Sequence, residues 1–297
     1  MSYTSRFIDQ GFVVFRNVIP STLIDECLHF LSKAKRRKSY LYYSQSTHRW
    51  STPNLSDSGH LIESILNPSQ QIQAPNFARS VRNLLYNDSL YRSLCSVSTD
   101  TLDFVSWQDM AFDQSTGTID HLDSWYLDTE SPGGVIGAWF ALEDIKRESG
   151  PFFVCPGSHH LGPISRNDVP NHDEFLSLIQ KRIIDHKLTK LPILLNKGDL
   201  LLWHSQLIHG SFTPTDFRFS RKSLTSHFYP LGKRRNDSTT TDGLINDLRS
   251  LRSTSHPRIF RNVRFGRSPL FYASAGPLLL LKQRIGMISS RAWNMRR

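Results

Sequence analysis

The sequence is poor in cysteine: Cys27, Cys95 and Cys155 are the only three in 297 residues. They are odd in number, far apart and in no C-x-x-C spacing, which argues against a disulfide framework and a thiolate zinc site. A reducing, cytoplasmic setting is the expectation. Long apolar runs are scarce as well. The opening stretch MSYTSRFIDQGFVVFRN carries early charges and no extended hydrophobic segment, so neither a signal peptide nor a transmembrane segment is expected there. No internal repeat is visible.

Acidic residues are in short supply in one region only. The whole chain has 36 Lys and Arg against 26 Asp and Glu, a formal charge of +10. From Leu231 to Arg297 the balance is 14 against 3, and in the remainder it is 22 against 23. The body is neutral and the tail basic. Such a tail suits a solvated arm or a surface for an acidic partner, whereas specific nucleic-acid binding would need a reading module that the sequence lacks. The last stretch, PLLLLKQRIGMISSRAWNMRR, is read as a basic terminal helix docked through Leu278 to Leu281, with peripheral membrane contact as the alternative.

What is present is apolar and aromatic material for a core: 38% hydrophobic residues, with six Trp and eighteen Phe. That is enough to offset chain entropy, and the length suits one large domain with decorations. FIDQGFVVFRN, residues 7–17, alternates around a glycine and reads as a strand. Pro20 and a capping Ser21 then open a helix whose apolar residues Leu23, Ile24, Cys27, Leu28 and Leu31 fall at helical spacing. Residues 77–95 read as two helices broken near Asn87 and Asp88. Beyond residue 100 come short apolar or alternating runs punctuated by Pro and Gly, interrupted by one helix near NHDEFLSLIQKRII. This is the texture of an antiparallel sandwich or closed barrel. Residues 233–242, KRRNDSTTTD, read as a loop or linker.

Within that β-rich region stands HLDSWYLD, residues 121–128. Twelve His and twenty Asp in such a chain give about one H-x-D by chance, so context has to carry the case. On a strand, His121 and Asp123 would project to one face, with Leu122 turned to the other. A third ligand would come from a distant strand, and GDLLLWHSQLIHGS offers His209 at the end of an apolar run. Two His and one carboxylate on one face leave coordination positions open, as in non-haem Fe(II) oxygenases, although zinc could use the same three. His204 is the alternative to His209, but its place directly after the apolar run suits a core histidine. His172 and Glu174 share the i, i+2 spacing at a helix start, where side chains diverge and acids serve the helix terminus. On the next strand, FSRKSLTSHFYP, Arg221 and Ser223 share a face and offer a guanidinium and a hydroxyl to a buried carboxylate. A dicarboxylate such as 2-oxoglutarate could chelate the metal at one end and meet Arg221 at the other.

The blocks FIDQGFVVFRNVIP, HLDSWYLD, GAWFALEDI, SGPFFVCPGSHH, GDLLLWHSQLIHGS and SRKSLTSHFYP, in this order and spacing, resemble the phytanoyl-CoA dioxygenase family. The likeness covers about residues 5–230, leaving 231–297 as a basic extension of a single domain. The resemblance implies a mainly β fold with flanking helices, a double-stranded β-helix of the jelly-roll, cupin-like kind. It implies Fe(II) on His121, Asp123 and His209, with 2-oxoglutarate held by Arg221 and Ser223 in a pocket that Gln108 and Trp139 line. The interval from His209 to Arg221 is one residue longer than usual in the family, which makes Arg218 an alternative clamp. The activity implied uses molecular oxygen to oxidise a small organic substrate, with release of succinate and carbon dioxide. The presence of Asp123, where related halogenases have a small residue, favours hydroxylation. Trp125 and Tyr126 are candidates for the substrate wall. The substrate could be phosphorylated, CoA-linked or lipid-linked. A binding protein that keeps the scaffold without turnover is the alternative function.

Overall fold

The computed structural model describes residues 2–99, 103–233, 235–236, 251–252 and 258–261. The architecture is a jelly roll of two largely antiparallel sheets with helices outside. The larger sheet runs β1 (Phe12–Phe15), β9 (Leu200–His204), β6 (Ile136–Ala141), β11 (Ser223–Pro230), β5 (Phe104–Phe112), β4 (Ile65–Leu66), β2 (Tyr42–Ser44), β3 (Arg49–Ser51). A short pair, β12 (Leu251–Arg252) and β13 (Ile259–Arg261), joins it through a parallel pairing of β13 with β5. The smaller sheet is β10 (His209–Ser211), β7 (Phe152–Val154) and β8 (Leu191–Pro192).

The unbroken apolar run of β9 follows from burial on both faces. Leu200 and Leu202 join the core beneath the helices, while Leu201 and Trp203 point between the sheets. Strand β6 divides in the same way, with Ala138 and Phe140 outward and Trp139 and Ala141 inward. Strands β5 and β11 change register between Ser226 and Phe228, a bulge that lets Val105, Trp107 and Tyr229 form a separate inner cluster with Leu127 and Val135.

Helices α2 (Ser21–Lys35), α3 (Pro75–Leu85) and α4 (Asp88–Val97) cover the outer face of the larger sheet through Ile24, Leu31, Phe77, Leu84, Leu90 and Leu94. Asn87 separates α3 from α4 and caps α4 by accepting the N–H of Leu90. Helix α5 (His172–Asp185) is capped by Asn171 rather than by its acids, and packs Phe175 and Ile179 on Leu122, Trp125 and Ile208. It therefore supports the H-x-D segment from below.

Two local expectations are corrected. Residues 7–17 are not one strand: Tyr3–Gln10 is a helix, α1, capped by Ser2 and closed by Gly11 in the left-handed region, and only Phe12–Phe15 is extended. Ser21 is the first helical residue of α2 and makes no capping hydrogen bond. All three cysteines are free. Among the described residues, no helix is long and apolar enough to cross a membrane. The expected terminal helix and most of the expected 233–242 loop lie outside the described residues.

Candidate metal centre

His121 and Asp123 do not sit together on a strand. His121 forms an isolated antiparallel bridge with His209, and Asp123 opens a short 3-10 turn, Asp123–Trp125. The two side chains still reach the same place. One ligand atom from each of His121, Asp123 and His209 lies within 4.8 Å of the others. Asp123 Oδ1 is 3.7 Å from His121 Nε2 and 3.6 Å from His209 Nε2. Donors bonded to one ion at about 2.1 Å lie roughly 3 to 3.5 Å apart, so a small contraction would close this set on a metal.

Hydrogen bonding fixes which nitrogens are free. His121 Nδ1 donates to the Ile119 carbonyl and His209 Nδ1 to the Leu207 carbonyl, each at 2.8 Å. Both Nε2 lone pairs are left facing Asp123. Burial pushes His209 down to about 4, so its imidazole is neutral near pH 7. Burial opposes charge on Asp123, but His209, His227 and His121 around it hold its carboxyl well below the usual range. A carboxylate with two imidazoles, each turning Nε2 towards it, is a donor set that fits a divalent metal ion.

The loop carrying His121 is anchored beside the site. Asp120 accepts from Gln180 of α5 at 2.5 Å and from Lys190 at 2.6 Å. His204, the alternative ligand, stands elsewhere: its Nδ1 accepts the Gln206 N–H at 3.1 Å, and its ring lies by Phe7 and His159. His172 is at the start of α5, where its Nε2 pairs with the Tyr126 hydroxyl at 2.8 Å.

Arg221 lies two residues before the start of β11 and is 3% exposed, with Nε lacking any hydrogen-bond partner among the described residues. Its guanidinium lies 5.3 Å from the Phe112 ring centre and 5.8 Å from that of Trp139. Burial pulls it down to about 10, still charged at neutral pH. A cation enclosed with no anion partner among the described residues fits a carboxylate-bearing ligand. Arg218 is unlike it: exposed in a turn, with Nε held by both oxygens of Asp216 at 3.0 and 3.1 Å. Ser223 is fully buried at the start of β11, its hydroxyl donating to the Arg221 carbonyl at 3.3 Å.

The remaining sequence candidates divide. Trp139 stands on the inner face of β6, stacked on Phe152 at 5.4 Å. Gln108 is half-buried near the β5–β11 bulge, where its main-chain carbonyl accepts the Ser226 hydroxyl. Trp125 faces α5, stacked on Phe175 with its indole donating to the Val169 carbonyl. Tyr126 is partly exposed, its ring 5.8 Å from that of His121. Two buried residues beside Asp123 escaped the sequence reading: Trp203, which donates to Oδ2 at 2.8 Å, and His227, whose Nε2 is 3.3 Å from the same oxygen. The period-two pattern of β11 places His227 on the face of Ser223 and was the available signal for it.

Comparison with known proteins agrees with this architecture. The family profile described as phytanoyl-CoA dioxygenase (PhyH) matches residues 7–222. The peroxisomal phytanoyl-CoA dioxygenase of Bos taurus is 31% identical over 110 residues, covering 36% of this chain and 32% of that protein. Phytanoyl-CoA dioxygenase domain-containing protein 1 of Danio rerio is 34% identical over 111 residues, covering 36% and 37%. The matched region thus spans about a third of these curated relatives. Among solved structures, the epimerase SnoN in complex with Fe3+, alpha-ketoglutarate and nogalamycin RO superposes with a TM-score of 0.57 at 16% identity, covering 89% of this chain and 95% of that one. EctD from S. alaskensis with 2-oxoglutarate and 5-hydroxyectoine gives 0.56 at 16%, covering 78% and 76%. At such identity these likenesses speak for the fold.

Proposed function

Since the profile match covers well over half of its length, this chain belongs to the phytanoyl-CoA dioxygenase family, and from that premise we propose that it is an Fe(II)- and 2-oxoglutarate-dependent oxygenase. The observation that carries the reading is the convergence of His121 and Asp123 with His209, from a segment distant in the chain, on one small volume. The reaction oxidises a small organic substrate with molecular oxygen and releases succinate and carbon dioxide.

Each side chain has a stated task. His121 and His209 offer Nε2 and Asp123 offers Oδ1 to the iron, on one side only, which leaves the other positions to ligands. Arg221, with the Ser223 hydroxyl nearby, receives the far carboxylate of 2-oxoglutarate, while Phe112 and Trp139 flank the guanidinium and keep water from it. Fe(II), when bound, supplies the redox chemistry that couples cosubstrate decarboxylation to substrate oxidation. Gln108 contributes to the cosubstrate pocket, and Tyr126, with Trp125 behind it, to the substrate wall.

The prime substrate is a small molecule, carried on a phosphorylated, CoA or lipid group. The name of the bovine relative supports an acyl-CoA reading, and the basic composition of residues 231–297 suits an acidic carrier or peripheral membrane contact. Residues 5–230 form the catalytic core of a single domain, and three unpaired cysteines suit a reducing compartment such as the cytoplasm. The test is succinate formation from 2-oxoglutarate across a substrate panel. Turnover in the wild type that vanishes in Asp123→Ala supports the oxygenase. Iron binding without turnover on any substrate would favour a binding protein instead.

A further inference from the structure

The two oxygens of Asp123 have different surroundings. Oδ1 faces both imidazoles, at 3.7 and 3.6 Å, whereas Oδ2 accepts the indole N–H of Trp203 at 2.8 Å. His227 Nε2 approaches Oδ2 to 3.3 Å, a longer contact than that of the indole. Among the described residues, Trp203 therefore gives this oxygen its shortest side-chain hydrogen bond.

We propose that Trp203 is a positioning residue of the metal centre: its indole N–H holds the Asp123 carboxylate in the one rotation that presents Oδ1 to His121 and His209. This rests on reading the three residues as a metal site. The terminal torsion of an aspartate is soft, so the backbone alone does not fix the plane of the carboxylate. An indole N–H can only donate, so it holds one carboxylate oxygen and with it the plane that turns the other towards the two imidazoles. Loss of a partner that orients a ligating group typically weakens metal binding by about 10- to 100-fold.

The ring is itself fixed by the sheet. Trp203 lies opposite Gly137 in the β9–β6 register, and a Cβ at position 137 would overlap the indole. A glycine there admits the ring across β6. Phe152 packs beside it at 5.0 Å between ring centres, and the rings of His209 and His227 lie at 5.2 and 5.8 Å. A phenylalanine would fill most of this space without the N–H. A Trp203 that merely packs would affect stability and leave metal affinity alone, so the two roles separate by experiment.

The 297-residue chain, freed of metal with a chelator, is titrated with Mn(II) in the absence of 2-oxoglutarate and oxygen, with free Mn(II) followed by electron paramagnetic resonance. Trp203→Phe is expected to raise the dissociation constant about 10- to 100-fold and to alter the visible spectrum of the Co(II) form. Replacement of Trp203 by 3-benzothienylalanine, which keeps the ring volume and deletes the N–H, is expected to do the same with the thermal midpoint of the metal-free protein little changed. This second variant decides the matter if the phenylalanine form folds poorly. Wild-type affinity and spectrum in the isostere would overturn the positioning role while leaving the metal site intact. A wild-type protein that holds neither Mn(II) nor Co(II) would overturn the metal site itself, and the positioning role with it.

Discussion

His121 and His209 exchange both main-chain hydrogen bonds, each N–H donating to the other's carbonyl at 3.0 Å. Directly opposed residues of an antiparallel pair present their side chains on one face, and the two ring centres are accordingly 4.3 Å apart. Two imidazoles far apart in the chain are thus set side by side by backbone pairing, before any metal is considered.

That pairing depends on Gly210. A Cβ there would come within 2.7 Å of the Thr118 carbonyl oxygen and 2.9 Å of that of Ile119, both rigid main-chain atoms just ahead of His121. Gly210→Ala is expected to cost about 1–3 kcal/mol in urea unfolding by overpacking. It should also weaken Mn(II) binding at least tenfold, because it parts the two histidines.

Arg221 and Arg218 separate cleanly. Arg221→Met removes a buried cation that has no anion partner among the described residues, so the thermal midpoint without 2-oxoglutarate is expected to rise. The same change should weaken 2-oxoglutarate binding by about 2–5 kcal/mol, on the order of 30-fold or more, in calorimetric titration. Arg218→Ala, at an exposed turn, should stay within about 0.5 kcal/mol on both measures.

His204 makes stability pH-dependent. Burial, with His159 and His160 nearby, lowers it from an ordinary 6.5 to about 4. The unfolded chain therefore binds the proton more readily, and the contribution of His204 is complete above pH 6.5 and lost as pH falls towards 4. A loss of about 3 kcal/mol over that range is expected from this group. Urea unfolding of His204→Gln at pH 4 to 7 should show a correspondingly shallower decline than the wild type.

Asp113 accepts from Lys35 Nζ at 2.5 Å and from the Leu61 N–H at 2.8 Å, and its carbonyl accepts the Arg221 N–H at 2.9 Å. Lys35→Met leaves this buried carboxylate with the Leu61 N–H and, among the described residues, one more distant cation, Lys222, 3.8 Å away. Destabilisation of about 3 kcal/mol is expected in chemical unfolding, together with weaker 2-oxoglutarate binding as the Arg221 backbone loosens.

The jelly roll was legible because Pro and Gly punctuate short apolar runs, and α2 to α5 because their apolar spacing is helical. The first helix was not, since FIDQGFVVF alternates on both sides of Gly11 and hides a helix that ends there. Asp123 shows a subtler limit. Alternation on a strand was the reason to expect it beside His121, whereas a 3-10 turn after a single bridge delivers it. That Arg218 stands exposed beside Asp216 while Arg221 is buried was not visible in the sequence either, because it depends on the turn after Asp216. Trp203 could not be tied to Asp123 from sequence, because the tie depends on cross-strand register with Gly137.

The most direct measurement is an anaerobic titration of Fe(II) with 2-oxoglutarate, following the weak visible charge-transfer band of the chelate. The wild type should develop the band with one iron per chain, and His121→Ala, Asp123→Ala and His209→Ala should each lose it. A band that survives in all three variants, or none in a wild-type protein shown to hold iron, would contradict the account.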